Sequence, residues 1–203
     1  MSNSGSHFEQ PASFAFSREN EGKLRAFIAK YPQGRQQSAV MPALDLAQRQ
    51  SGGWLPRAAM VHIAELLDMP EIRVFEVATF YTMYNLAPVG RHHVQVCTNL
   101  PCWLRGSEGI VSACQKKLGI AIGETTEDGA FTLSEAECLG ACVNAPMMQI
   151  GDDYYEDLDA ASTAAVLDAL ARGDAPTPGP QNGRQGCEPQ GDLTSLNSPK
   201  EDA

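Results

Sequence analysis

The sequence predicts an α+β chain, in which a helical N-terminal bundle precedes a small α/β layer domain and a disordered C-terminal tail. Three observations carry that expectation. Apolar residues recur at helical spacing from Leu24 to Leu86, the period falls from 3.6 to 2 beyond Gly90, and after Gly173 the composition turns to Pro, Gly, Ser, Asn and Gln. The expected divisions are a flexible N-terminus over 1–16, a helical domain over 17–88, an α/β domain over 89–173 and a tail over 174–203, disordered or ordered by a partner.

Residues 1–16 are Ser-rich and aperiodic. Ser17, with Asn20 and Glu21 behind it, is an imperfect capping signal, and Leu24, Phe27, Ile28 and Tyr31 follow on one stripe before Pro32 and Gly34. A second helix is expected from about Pro42 to Gln50, carrying Leu44, Leu46 and Ala47 and ended by Gly52-Gly53. A third starts at Pro56, a residue type suited to a first turn, and runs to about Leu67 with Met60, Ile63, Ala64 and Leu67 on one face. Pro70 opens a fourth through Ile72, Val74, Phe75, Ala78 and Thr79. The run Phe80 to Leu86 closes the region; its aromatics suit an interface core, and packing between helices is the plainer reading. Pro88-Val89-Gly90 reads as a turn or linker.

The second half alternates strands and helices. His93–Cys97 is expected as a strand, Ser107–Leu118 as a helix with Ile110, Val111, Cys114 and Leu118 inward, and Phe131–Ala136 as a second strand. Met147–Ile150 and Asp153–Glu156 flank Gly151-Asp152 as a hairpin, and Ala160–Leu170 is a closing helix. No internal repeat is evident.

The chain has 203 residues, with 15 Lys+Arg against 25 Asp+Glu and a formal net charge of −10. Such a balance excludes a duplex nucleic-acid binder, which needs clustered cations to displace counterions from phosphates. The excess is local. Between residues 121 and 160 lie Glu124, Glu127, Asp128, Glu135, Glu137, Asp152, Asp153, Glu156, Asp157 and Asp159, with no Lys or Arg. No apolar run approaches the ~18 residues that span a bilayer. The first basic residue is Arg18, so neither a secretory n-region nor an Arg-rich transit peptide is expected, and the chain reads as soluble and retained where it is made.

Four of the six cysteines form a constellation: Cys97 with Cys102, and Cys138 with Cys142, each pair where an expected strand runs into a loop. Loop backbone there can wrap a metal group while strands fix the thiolates, and Pro101 and Gly140 permit tight turns and close approach. Three chemistries use such a set: a [2Fe–2S] cluster, which suits wide gaps because it is larger than one ion; a structural zinc site; or disulfide and dithiol chemistry. A zinc-stapled interaction module would use the same four residues. The absence of a C-x-x-C pair counts against a thioredoxin-like dithiol enzyme. The acidic residues around the second pair read either as a solvated face or, with an anionic cluster bound there, as charge that disfavours its reduction.

The run from His93 to Gly106, with Glu135 to Met147, Gly53-Trp-Leu-Pro, Val77 to Tyr84 and Pro88-Val-Gly, is similar to the family of the 24-kDa, or E, subunit of NADH:quinone oxidoreductase, respiratory complex I. The resemblance covers roughly residues 15 to 172. It implies a thioredoxin-like domain behind the helical one, and a single [2Fe–2S] cluster held by Cys97, Cys102, Cys138 and Cys142. It implies FMN and NADH on a 51-kDa partner subunit, further partners in the peripheral arm, and a peripheral place on the cytoplasmic side of a bacterial inner membrane or the matrix side in mitochondria. Equivalent subunits of NAD-linked formate dehydrogenases and hydrogenases share the cysteine pattern. No G-x-G-x-x-G fingerprint follows a strand, so no dinucleotide site and no complete active site is expected in this chain.

Other residues have plainer readings. Cys114 is expected to be a small buried hydrophobe and Cys187 a free thiol in the tail. His62, His92 and His93 read as structural, Trp103 as either a shield for the thiols or core, and Pro146 as resembling the thioredoxin-fold proline that is commonly cis.

Overall fold

The computed structural model describes residues 8–189 and 191, and the chain divides between Val89 and Gly90 into two compact units. In the first, α1 spans Arg18–Ile28, with the Ser17 hydroxyl accepting from the Asn20 N–H at 3.2 Å. A 3-10 turn, Gln36–Ala39, feeds α2, Val40–Gln50, so Pro42 falls in its first turn, where the missing N–H costs nothing. Helices α3, Arg57–Leu67, and α4, Glu71–Phe80, follow Pro56 and Pro70 at their caps. Leu44, Leu55, Ile63, Leu67 and Val74 are fully buried between them.

The expectation of a flexible 1–16 segment is corrected for residues 8–16. Phe14 and Phe16 pack on the helical core and against the His62 ring, the Gln50 amide donates to the Ala15 carbonyl at 2.8 Å, and Gln10 accepts from the Arg57 N–H. Two aromatics two residues apart make no helical period, and their burial depends on helices distant in sequence. Residues 1–7 lie outside the described residues. In the run Phe80 to Leu86, Tyr84 alone is buried, its hydroxyl donating to the Met41 carbonyl at 3.0 Å, whereas Phe80 is 77% exposed.

The second unit is a five-stranded sheet of β1, His92–Cys97, β2, Phe131–Ala136, β3, Met148–Ile150, β4, Asp153–Glu156, and β5, Gly179–Pro180, in the order β2-β1-β3-β4-β5. β1 and β2 are parallel, joined through α5, Leu100–Leu104, and α6, Ser107–Leu118; β3 lies antiparallel to β1 and turns back into β4 as the expected hairpin. α7, Ala160–Arg172, begins at a capping box in which Asp159 and Ser162 satisfy each other's backbone N–H. Val94 and Val96, Phe131 and Leu133, and Met148 and Ile150 alternate onto one sheet face, where Ile110 and Cys114 of α6 and Val166 and Leu167 of α7 cover them.

Burial shapes the titration of several groups here. Both His92 and His93 are pushed down by desolvation; His93 Nε2 meets the Ser134 hydroxyl at 2.8 Å and His92 packs on Phe131. Cys114 is fully buried, and burial pushes its thiol up to about 12. Native protein at pH 8 is therefore expected to leave Cys114 unalkylated by iodoacetamide, as peptide mass mapping reads, while exposed Cys187 is modified. Labelling of both at one rate in folded protein would contradict this placement.

The tail expectation also needs correction. Gly179–Pro180 pairs parallel with Tyr155 and Glu156 of β4, and Arg184 forms an ion pair with Asp157, so part of 174–203 is docked. A two-residue strand leaves no periodic signal, and an arginine's partner cannot be read from composition. Residues 190 and 192–203 lie outside the described residues. Among the described residues no helix is long and apolar enough to cross a membrane.

Candidate metal centre

The parallel pairing of β1 and β2 brings Cys97 opposite Ala136, so both strands end at one edge of the sheet. Cys97 is the last residue of β1 and Cys138 lies two residues past β2. Cys102 sits in α5, whose N-cap Asn99 accepts from the Leu100 N–H and carries Pro101 in the first turn. Cys142 opens the 3-10 turn Cys142–Asn144, reached through Gly140 at φ +86°, a conformation glycine adopts without cost.

Cys97 is one residue out of phase with Val96, as Met147 is with Met148 and Tyr154 with Tyr155. The alternation of strands thus turns this set to the sheet face opposite α6 and α7. There Cys97, Cys102, Ala145 and Met147 form a separate small core with Leu139, Ala141 and Tyr154 against it. The Cys97 N–H donates to the Met147 carbonyl at 3.2 Å, and Ala145–Pro146 is a cis peptide. Two side-chain bonds tie the loops: Asn99 Nδ2 donates to Glu137 Oε2 at 2.6 Å, and the Tyr154 hydroxyl to the Leu139 carbonyl at 2.8 Å.

The four thiols fall into a buried and an exposed pair. Cys97 and Cys102 are 2% and 1% exposed, while Cys138 and Cys142 face solvent with their sulfurs 3.4 Å apart. That separation is far beyond an S–S bond of about 2.05 Å. It approaches the ~3.8 Å between two thiolates on one tetrahedral metal with metal–sulfur bonds of ~2.3 Å. Burial pushes Cys102 up to about 12, reinforced by Cys97 and opposed by the Met147 backbone N–H. Cys142 is raised chiefly by its hydrogen bond with Cys138, and both Cys97 and Cys138 act on it electrostatically. Cys142 acts likewise on Cys102, so the two pairs sense each other. Among the described residues no three His, Cys, Asp or Glu side chains gather closely enough to hold a single ion, and the thiols are grouped two and two. The donor set fits a group with two metal centres and two thiolates on each.

Neighbouring candidates stay outside. Trp103 is half exposed, its indole N–H donating to Glu108 Oε1 at 3.0 Å, so it belongs to no core. His92 and His93 take their partners from β2. Asn99 and Tyr154 escape sequence reasoning, though Asn99, a cap residue before Leu-Pro, left a local signal, and Glu137 stood out only as one member of the acidic stretch.

A layered α/β domain with two pairs of free thiols on and just past the ends of two parallel strands offers the donor set of an iron–sulfur group. The chain belongs to the thioredoxin-like [2Fe-2S] ferredoxin family, whose model matches residues 24–171. It is similar to the E subunit of the NADH-quinone oxidoreductase of Rickettsia conorii, 57% identical over 157 residues that cover 77% of this chain and 94% of that one. It is also similar to the mitochondrial NADH dehydrogenase [ubiquinone] flavoprotein 2 of Dictyostelium discoideum, 51% identical over 187 residues covering 92% of this chain and 76% of that one. Among solved structures, an NAD+-reducing [NiFe]-hydrogenase in the air-oxidized state matches with a TM-score of 0.56 at 20% identity, over 64% of this chain and 23% of that chain. That likeness concerns the fold alone.

Proposed function

We propose that this chain is an electron-transfer subunit of an NADH:quinone oxidoreductase, with Cys97, Cys102, Cys138 and Cys142 holding one [2Fe–2S] cluster. The observation that carries the reading is the convergence of these four free thiols where β1 and β2 end, in a chain similar over most of its length to a subunit of that name. When bound, such a cluster takes up and returns one electron at a time. Cys97 and Cys102 root the site in a dry core, and Cys138 and Cys142 leave its other edge open to solvent, the side from which a redox partner approaches. Glu137, bonded to Asn99 between the two loops, keeps negative charge beside the second pair, which disfavours added electrons.

Hydride from NADH carries two electrons, so a flavin that splits the pair belongs between nucleotide and cluster. The partner of this chain is then a flavin- and NADH-binding subunit, the 51-kDa subunit of complex I, and the assembly lies at the cytoplasmic face of a bacterial membrane or the matrix face in mitochondria. The full chain without flavoprotein is expected to show no NADH oxidation and to accept about one electron in a dithionite titration. NADH oxidation by the chain alone, or uptake of two electrons, would overturn the reading.

A further inference from the structure

We propose that residues 179–188 form a strap that positions the second thiol pair, with Arg184 as its positioning residue; this rests on Cys142 being a ligand. The acidic stretch 121–160 contains no Lys or Arg, and Arg184, from beyond α7, inserts a cation into it. The side chains of Arg184 and Asp157 are only 11% and 9% exposed. Arg184 Nη2 lies 2.8 and 2.7 Å from the two Asp157 oxygens, and Nε is 3.1 Å from Oδ2. A buried pair of this kind contributes little net stability compared with apolar packing, and its strength is geometric specificity.

The geometry it fixes is that of the Cys142 turn. Arg184 Nη2 also donates to the Asn144 side-chain oxygen and to the Val143 carbonyl, the two residues that follow Cys142 in its 3-10 turn. Asn144 is buried and gives its amide to Glu156 and to the Gly186 carbonyl, a strap residue. The Asp157 N–H donates to the Asn144 carbonyl at 2.7 Å, and Gln181 N–H extends the β4–β5 ladder to Glu156 at 2.9 Å. Arg184 Nη1 closes the strap on itself at the Glu188 carbonyl. Asp157 offsets the arginine's charge, so the effect on Cys142 is one of placement, through the backbone of Val143 and Asn144. Groups of this outer kind typically alter metal affinity by 10- to 100-fold.

The test uses the full chain with its cluster, comparing wild type, Arg184→Met, Arg184→Lys and, as a stability control, Val166→Ala in the core of α7, away from the turn. Arg184→Met is expected to release iron to a chelator about tenfold faster than wild type and to shift the g-values of the reduced EPR signal. Arg184→Lys keeps the charge beside Asp157 but loses the fork, so it folds and shows a smaller change in the same direction. Val166→Ala, destabilised without touching the turn, is expected to keep the wild-type signal and release rate. Equal release from Arg184→Met and Val166→Ala, or wild-type spectra and rates in both Arg184 variants, overturns the positioning role. Wild type without a [2Fe–2S] signal instead overturns the proposed function, and this inference with it.

Discussion

Cys102→Ala is expected to leave the purified chain with almost no bound iron, whereas Cys142→Ala retains a labile, substoichiometric fraction. The difference follows from burial. Cys102 is 1% exposed inside the core with Cys97, Ala145 and Met147, so no water can reach the vacated position and the truncation adds a cavity. Cys142 faces solvent, and water or an added thiol can take its place. Iron and acid-labile sulfide per chain, measured on protein prepared anaerobically, read the effect. Cys114→Ala and Cys187→Ala are expected to keep the full content, since one lies in the helix-covered core and the other is exposed in the strap. Full iron in Cys102→Ala, or its loss in Cys114→Ala, would reassign the site.

Gly90→Ala should be the most damaging single methyl in the second unit. A Cβ there would lie 2.7 Å from the Phe131 carbonyl carbon, 2.9 Å from its nitrogen and 3.0 Å from its Cα, all backbone atoms of β2 that cannot swing aside. The Gly90 N–H also donates to the Thr132 hydroxyl at 2.6 Å in a buried position, so moving the strand entry breaks a bond that water cannot replace. Overpacking and the lost bond together are expected to cost about 3 kcal/mol. Urea unfolding read by Trp103, in a Trp54→Phe background so that the fluorescence reports the second unit alone, measures it. Cluster content should fall in parallel, because the β1–β2 register carries Cys97 to the edge where Cys138 follows. An unmoved midpoint would show that β2 can yield.

The sequence revealed those parts of the molecule that repeat. Helical stripes such as Met60, Ile63, Ala64 and Leu67, and the alternation Val94, Val96, locate their elements to within a few residues, because burial on one face imposes the period. Segments too short to show a period escaped it. Phe14 and Phe16 owe their placement to α2 and α3, and β5 to β4, while α5 is a short locally capped helix. At the candidate metal centre the cysteines declare themselves by chemistry and spacing. Asn99, Glu137, Tyr154 and Arg184 surround them as ordinary polar residues, and only the folded arrangement shows what they hold. The strap is the clearest case, since composition that reads as solvated chain contains an arginine whose partners lie just past β4 and in the Cys142 turn.

Four thiols in two pairs are proposed to hold a two-iron group. Anaerobically purified full chain, assayed for iron, sulfide and zinc and then reduced for EPR, tests it most directly. The expected result is brown protein with about two irons and two sulfides per chain and an S = 1/2 signal after one-electron reduction. A colourless, EPR-silent protein with about one zinc per chain would contradict it.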